Sequence, residues 1–199
     1  MAGTAPRIGL VILAAGGSRR MGTPKQLLEV QGTSLIERCV AAALASPVWP
    51  VVVVVGEQGA EIRKMLVRQP VLIVDHPGWA AGMASSLRVG METLRLFSRD
   101  LDAAVIALCD QPRFSAASIQ ALLAAQAATG ASTVAAQYAG RLGAPVLFMA
   151  KHFPTLQRLD GDEGARAIIN ADPAAVGVDL PELSIDLDTP ADVSSYIRE

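Results

Sequence analysis

The sequence predicts an α/β fold in which helices cover both faces of a mostly parallel β-sheet. Four short runs are continuously apolar, which is typical of strands buried on both faces: Ile8–Leu13, Val51–Val55, Val71–Val74 and Ala103–Leu108. Longer Ala- and Leu-rich segments with helical periodicity separate these runs. Because repeated β–α units pack helices against both sides of a sheet, we expect a three-layer α/β/α sandwich.

The helices between these strands have recognisable first and last residues. Thr33 or Ser34 can cap a helix LIERCVAAALA that ends before Pro47. Three further helices are predicted: Gln58–Val67, Gly82–Phe97 and Ala116–Ala128. Ser115 caps the last of them, and Gly130 follows its end.

After Gly130 the regular alternation of strands and helices changes. Ser132–Tyr138 and Pro145–Phe148 are predicted to form two strands joined by a glycine-bearing turn, Ala139–Arg141, as a small β insertion. The remaining predicted elements are helices over Lys151–Leu159 and Glu163–Asn170, a strand over Ser184–Leu187, and a helix that opens at Pro190.

Composition and charge indicate one globular domain, residues 1–199, with 51% hydrophobic and 18% charged residues. The net charge is −2 and Lys and Arg form no long block, so we expect no binding to nucleic acid or to a membrane surface. No apolar run reaches the roughly 20 residues that cross a bilayer, and the first residues lack the pattern of a signal peptide. Cys39 and Cys109 lie in apolar segments as buried, reduced thiols, which favours a cytoplasmic location.

Three polar loops follow the ends of predicted strands. They are Ala14–Lys25, Asp75–Ser86 and Asp110–Arg113. Ligands of α/β sheets bind beyond the carboxyl ends of the strands, so these loops are expected to form one rim around a binding site.

The first of these loops is suited to bind phosphate. Gly17–Gly22 matches GxxxxG, but Thr23-Pro24 stands where a Walker loop needs Lys followed by Ser or Thr, and GxGxxG is absent. Glycines still let backbone N–H groups approach an anion, while Arg20 offers a bidentate fork and Lys25 a movable point charge. The alternative is a solvated loop whose cations face water.

Carboxylates at the same rim are candidates for a metal site. Asp110 ends a buried strand and Pro112 stiffens the turn after it, so its carboxylate can hold Mg²⁺, although capping of the next helix is an alternative role. Asp186 and Asp188 lie two residues apart in a predicted strand and share a face. Asp188, closer to the helix at Pro190, also suits a capping role.

Other catalytic patterns are missing. His76 and His152 have no His, Cys or acidic neighbours at the spacing of a zinc site. The sequence also contains no GxSxG elbow. Both zinc and serine hydrolase chemistry are therefore unsupported.

Taken together, these segments resemble nucleotidyltransferases with a GT-A-type, Rossmann-like fold, and most of all the molybdenum cofactor cytidylyltransferases. Leu13–Lys25 is similar to the signature LAAGxSxRMGxxK of that family. Five further segments match it in order and spacing: Gly82–Leu87, Asp110–Pro112, Gly143–Pro145, Gly161–Arg166 and Asp186–Pro190.

The resemblance implies roles for individual residues. The base and ribose of the nucleotide would contact these residues: Leu13, Ala14, Ala15, Gly16, Gly17, Ser85 and Ser86. Arg20 and Lys25 would hold the triphosphate, Asp110 and Asp186 would bind Mg²⁺, and Arg166 would bind the phosphate of the acceptor. A surface ion pair with Asp162 is the alternative for Arg166.

The implied reaction moves CMP from CTP to a phosphorylated acceptor, molybdopterin or molybdenum cofactor, and releases pyrophosphate. Guanylyl-transferring relatives carry LAGG, and Ala15 here favours CTP over GTP. Ala144 departs from the polar residue common in the family, which leaves the acceptor open. The alternatives are a guanylyltransferase of the same pathway, a cytidylyltransferase of isoprenoid synthesis, a chaperone that delivers the cofactor to a molybdoenzyme, and an NAD-dependent oxidoreductase.

Overall fold

In a computed structural model, which describes residues 5–17, 24–161, 164–187 and 190–196, the described strands form one large and one small sheet. The seven strands of the large sheet are β1 (Ile8–Ala14), β4 (Val51–Val55), β5 (Leu72–Asp75), β6 (Ala103–Leu108), β7 (Thr133–Tyr138), β8 (Arg141–Met149) and β9 (Val176–Asp179). The small sheet is a hairpin of β2 (Glu29–Val30) and β3 (Thr33–Ser34).

The strand order in the large sheet is β5-β4-β1-β6-β8-β7-β9. The first four strands pair in parallel, and β9 is parallel to β7. Since β8 pairs antiparallel with both β6 and β7, it is the one described strand that runs against the others. The four strands expected from the sequence are confirmed to within one residue at each end, but the expected burial on both faces is wrong for β5, which lies at the edge of the sheet and is only half-buried. The small β insertion is the β7–β8 hairpin.

Helices cover both faces of the large sheet, as predicted. They are α1 (Leu35–Leu44), α2 (Gly59–Leu66), α3 (Met83–Phe97), α4 (Ala116–Thr129), α5 (Phe153–Leu156), α6 (Arg166–Ala171) and α7 (Pro190–Tyr196). Buried side chains of α1, α2 and α4 pack with Leu10 and Ile12 of β1. Those of α3, α5 and α6 pack with Val11 on the opposite face, because successive residues of a strand point to opposite sides.

The predicted caps explain where the central helices begin and end. Of the two candidates for α1, Ser34 is the cap: its Oγ accepts from the Glu37 N–H at 3.3 Å, and the Glu37 carboxylate accepts from the Ser34 N–H at 3.1 Å. Ser115 caps α4 by accepting from the Ser118 N–H at 3.3 Å. Gly130 ends α4 in the left-handed conformation.

The prediction of a strand over Ser184–Leu187 is wrong. Pro181–Ser184 forms a 3-10 turn, for which a proline at the first position is preorganised, and residues 185–187 run outside the sheet. The sheet position beside β7 belongs instead to β9, which the sequence analysis missed.

Two predicted helices are also shorter in the structure. The segment Lys151–Leu159 contains the end of a 3-10 turn, Ala150–His152, and α5. The other helix, α6, begins at Arg166, after Gly164 and Ala165, and Glu163 lies outside the described residues. Within the described residues, none of the helices has the length and apolar character needed to cross a membrane.

Candidate active site

The carboxyl ends of β1 and β6 open into a cavity of about 370 Å³, which we call the first cavity. Loops that follow three different strands meet there. Its lining includes Leu13, Ala15, Gly16, Lys25, Gln26, Trp79, Met83, Ser86, Cys109 and Asp110. The rim predicted from the sequence is thus formed by residues that lie far apart in the chain.

An ion pair between Lys25 and Asp110 lies in the wall of the first cavity. Lys25 Nζ is 2.5 Å from Asp110 Oδ2, and each side chain is 18% exposed. The second carboxylate oxygen, Asp110 Oδ1, is buried and has no hydrogen-bond partner among the described residues. A half-buried ammonium–carboxylate pair at a cavity wall can exchange partners with a bound phosphate or cation.

The turn after β1 is shaped from two sides. Gln26 is buried and its Nε2 donates to the Ala14 carbonyl at 3.0 Å and to the Gly16 carbonyl at 2.7 Å. On another side, the Trp79 ring lies so close to Gly17 that a Cβ there would overlap it. The sequence analysis singled out neither Gln26 nor Trp79, since a single sequence does not show which carbonyls or glycines a side chain will meet.

The serines at the start of α3 have different surroundings. Ser86 lines the first cavity, whereas the Ser85 hydroxyl donates to the Gly82 carbonyl at 2.7 Å and lies 2.8 Å from His76 Nε2. Because the Ser85 proton is used by Gly82, His76 Nε2 must carry the proton that completes this contact. Burial, together with the nearby Arg88, lowers the pKa of His76, which keeps the ring neutral at pH 7. Ser85 therefore holds the loop at Gly82.

A second cavity of about 170 Å³ adjoins the first. Leu13, Met83 and Leu108 line both cavities. Charged and polar residues of the second cavity are Tyr138, Arg141, Arg166 and Asp186. The two cavities could therefore hold two substrates side by side.

Gln111 connects the walls of the second cavity to the end of β6. Its buried Nε2 donates to the Tyr138 hydroxyl at 3.1 Å, the Ala144 carbonyl at 3.2 Å and the Leu183 carbonyl at 3.1 Å. Burial, with Asp186 nearby, raises the pKa of Tyr138, so its phenol stays protonated. The sequence analysis did not single out Gln111 or Tyr138.

The two predicted metal contacts lie on different cavities. Asp110 lines the first and Asp186 the second, although the Leu187 N–H donates to the Asp110 carbonyl at 3.1 Å. Within the described residues, no cluster of three or more His, Cys, Asp or Glu side chains could hold a metal ion. Mg²⁺ commonly needs only one or two protein carboxylates when phosphates and water supply its other ligands. Asp110 Oδ1, which has no hydrogen-bond partner in the described part of the chain, is an oxygen donor of that kind.

The other predicted site residues are distributed as follows. Ala14 and Gly17 belong to the turn held by Gln26 and Trp79, and Arg166 begins α6 beside the second cavity. Arg20 lies outside the described residues, as do Asp162 and Asp188. The assignment of all these residues to ligands stays a prediction.

A comparison with family models matches residues 10–176 to the MobA-like NTP transferase domain. That match covers most of the chain, including the first cavity. The chain belongs to the MobA-like NTP transferase family. The resemblance found in the sequence and the Rossmann-like nucleotidyltransferase fold are thereby confirmed.

Curated relatives of this MobA-like NTP transferase have different names. It is 30% identical to purine catabolism protein PucB of Bacillus subtilis over 94% of this chain and 95% of that one. It is 29% identical to nicotine blue oxidoreductase of Paenarthrobacter nicotinovorans, in a match that covers 82% of this chain and 81% of that one. A shorter match, 41% identical over 41% of this chain and 35% of the other, is to 2-C-methyl-D-erythritol 4-phosphate cytidylyltransferase of Thermobifida fusca.

Solved structures share the whole fold. Rv0371c of Mycobacterium tuberculosis superimposes with a TM-score of 0.84 at 27% identity, covering 98% of this chain and 100% of that chain. A manganese complex of the same protein gives a TM-score of 0.77 at 25% identity, covering 98% of this chain and 100% of that chain. A divalent metal is therefore bound by a relative whose whole length matches this MobA-like NTP transferase.

Proposed function

We propose that this protein is a Mg²⁺-dependent cytidylyltransferase that moves CMP from CTP to the phosphate of molybdopterin or molybdenum cofactor and releases pyrophosphate. The observation that carries the proposal is the Lys25–Asp110 pair in the first cavity, beside a second cavity that contains Arg166. This arrangement suits a nucleoside triphosphate next to a phosphorylated acceptor. Family membership supports the nucleotidyl transfer itself.

The proposed reaction does not depend on a strong general acid or base. An oxygen of the acceptor phosphate attacks the α-phosphorus of CTP and the bond to pyrophosphate breaks. Since that nucleophile is already ionised near neutral pH, no strong base is needed, and catalysis depends on in-line positioning and charge stabilisation. Lys25 would neutralise the phosphates of the leaving group, with Arg20 in the same role. Arg166 would bind and orient the acceptor phosphate.

A divalent cation fits the residues of the first cavity. The carboxylate of Asp110 would hold it, since Oδ1 is buried and has no hydrogen-bond partner among the described residues. When bound, the cation would withdraw charge from the phosphates. Asp186 would assist from the second cavity. The manganese complex of Rv0371c supports a divalent metal without distinguishing Mg²⁺ from Mn²⁺.

The choice of CTP rests on the turn after β1. Ala15 is 4% exposed, lines the first cavity and stands where guanylyl-transferring relatives carry glycine. The partial match to a cytidylyltransferase supports the same choice. We also place the protein in the cytoplasm, since Cys39 and Cys109 are both buried, free thiols. A molybdoenzyme would receive the product.

Redox chemistry is a second candidate because one relative is named nicotine blue oxidoreductase. The turn at Gly16 and Gly17 lacks the GxGxxG spacing of dinucleotide-binding proteins, which favours transfer. The two candidates differ in their products, so one assay separates them.

The experiment incubates the protein with Mg²⁺, with CTP or GTP, and with molybdopterin, molybdenum cofactor or 2-C-methyl-D-erythritol 4-phosphate. We expect pyrophosphate release with CTP and a molybdopterin acceptor. Lys25→Ala should lower the rate about 10²–10³-fold, as loss of a single charge-stabilising donor does elsewhere. Asp110→Asn should abolish metal-dependent turnover.

Lys64→Ala is the matched control, because it removes an exposed cation from α2. Thermal unfolding of each variant checks the fold. Release of pyrophosphate at the wild-type rate by Lys25→Ala, or oxidation of NADH or NADPH without any transfer, would contradict the proposal.

A further inference from the structure

Gln26 is a buried amide in the wall of the first cavity. It is 2% exposed, and a single nitrogen, Nε2, donates to the carbonyls of Ala14 and Gly16 at 3.0 and 2.7 Å. Two carbonyl oxygens that lie two residues apart therefore converge on one atom. The backbone can satisfy this only by curling around the amide, so the contact fixes the course of the chain as it leaves β1.

The same turn is held by Trp79 and by a close backbone approach. A Cβ at Gly17 would overlap the Trp79 ring, and a Cβ at Gly56 would overlap the Ala15 carbonyl and come within 2.9 Å of the ring. Gly16, in contrast, has open space where a Cβ would be. The turn is thus clamped between an amide and an indole while Gly16 remains uncovered in the cavity wall.

This clamp bears on phosphate binding through the direction of the peptide groups. Carbonyl oxygens repel an anion, whereas N–H groups stabilise it. Gln26 occupies the two carbonyls with its own N–H group. Because N–H and C=O of one trans peptide point in opposite directions, the Gly17 N–H points away from the Gly16 carbonyl and hence from that hydrogen bond.

Gln26 also anchors the neighbouring cation. Lys25 and Gln26 belong to one 3-10 turn, Lys25–Leu27, whose attachment to β1 includes the two hydrogen bonds of Gln26. The Lys25 Nζ lies 2.5 Å from Asp110 Oδ2. A side chain that holds the turn therefore also holds the backbone from which Lys25 extends.

We propose that Gln26 is the positioning residue of the nucleoside triphosphate site, where it shapes the glycine turn for the phosphates and keeps Lys25 beside Asp110. The inference rests on the nucleotide-binding half of the proposed function and is independent of the acceptor and of the base. It assigns Gln26 no contact with the reacting atoms.

The test measures binding of CTP, GTP and inorganic tripolyphosphate, each with Mg²⁺, by isothermal titration calorimetry at pH 8 and pH 5. Gln26→Glu should weaken all three ligands at least tenfold at pH 8, because a carboxylate cannot donate to the two carbonyls and repels phosphate. Burial beside two carbonyl oxygens should raise the pKa of the new carboxyl group, so that at pH 5 it is protonated and can donate one hydrogen bond. The loss of affinity should therefore be smaller at pH 5. Gln26→Leu should weaken binding to a similar degree at both pH values.

Gln120→Glu is the control, since Gln120 is exposed on α4 and the substitution brings the same change of charge. It should bind as the wild type does. Wild-type affinity in both Gln26 variants, with or without a lower Tm, would overturn the inference and reduce Gln26 to a stabilising residue. A wild type that prefers GTP, or that transfers nothing to molybdopterin, would defeat the proposed function but not this inference, because each variant is compared with the wild type on the same ligand.

Discussion

The amide of Gln111 has three acceptors within 3.2 Å but only two protons to donate. Its oxygen, Oε1, is buried and has no hydrogen-bond partner among the described residues. Two of the acceptors are the backbone carbonyls of Ala144 and Leu183. One side chain thus connects three segments that are distant in the chain, while its own oxygen has no hydrogen bond within the described residues.

Replacing Gln111 by Leu should lower the free energy of unfolding by about 1–3 kcal/mol, because buried carbonyls would lose their donor. Tyr138→Phe should cost about 1 kcal/mol, since it removes one hydrogen bond. The double variant should be less destabilised than the sum, because both changes remove the same contact. Urea unfolding of the four proteins provides this cycle, and strict additivity would show that the Gln111–Tyr138 contact contributes nothing.

At the residue scale, sequence patterns indicated the charged groups but not the amides. Lys25 and Asp110 were identifiable because a cation and a carboxylate each follow a predicted strand. Gln26 and Gln111 were not, because their partners are backbone carbonyls, and in the case of Leu183 the partner is 72 residues away in the chain. Nothing in a single sequence marks such a partner.

Among the elements, α3 crosses the sheet at a glycine. Gly90 lies in the middle of the helix, and a Cβ there would overlap Val11 of β1 and come within 2.9 Å of Val54 of β4. The missing side chain therefore lets the helix approach two central strands. This contact sets the position of α3, whose first turn carries Met83 and Ser86 to the first cavity.

Gly90→Ala should destabilise the protein by about 1–3 kcal/mol through overpacking. Helix propensity alone predicts the opposite, a gain of about 1 kcal/mol. The overlap with Val11 and Val54 should outweigh that gain, because both side chains are fully buried and have little room to move. Adding Val11→Ala should restore part of the lost stability, because it makes room for the new Cβ. Urea unfolding measures the free energy of unfolding of the single and the double variant. A Gly90→Ala protein that is more stable than the wild type would contradict this view of α3.

The strand predictions succeeded where the apolar run was continuous, as in β1, β4, β5 and β6. The segment of β9, Val176–Asp179, was missed because it is short, only half-buried and interrupted by Gly177. Conversely, the sequence predicts a strand over Ser184–Leu187, which lies outside the sheet, where Leu187 and the preceding Leu183 are nevertheless fully buried. Both leucines belong to the core cluster that also contains side chains of α4 and β7, and a pattern of apolar residues does not distinguish such packing from a place in the sheet.

At the scale of the whole molecule, the reversed strand β8 places residues of the second cavity beside the first. Because β8 runs against its neighbours, its first residues lie at the edge where β6 and β7 end. Arg141 and Gly143 therefore reach the second cavity beside the end of β6. The sequence predicted the parallel strands and the hairpin, but the place of the hairpin between β6 and β9 depends on long-range pairing that local patterns do not encode.

The titration of three partly buried groups predicts how the stability of the whole protein depends on pH. Burial lowers the pKa of His76 and of His152, and a nearby cation, Arg88 for His76 and Lys151 for His152, lowers it further. A hydrogen bond from Thr133 lowers the pKa of Asp172. In each case the folded protein binds the proton less readily than the unfolded chain. Stability therefore falls as pH falls, below about 6.5 for the histidines and below about 3.9 for Asp172.

We expect the free energy of unfolding in urea to be lower at pH 5.0 than at pH 7.5. His152→Gln should show a smaller difference, because it removes one titrating group while glutamine can still donate to the hydroxyls of Ser132 and Thr133, which lie 3.0 and 3.2 Å from His152 Nε2. Asp172 stays ionised at both pH values, so it does not contribute to this difference. A pH dependence that is the same in His152→Gln and in the wild type would show that the lowered pKa of His152 is not what links folding to protons in this range.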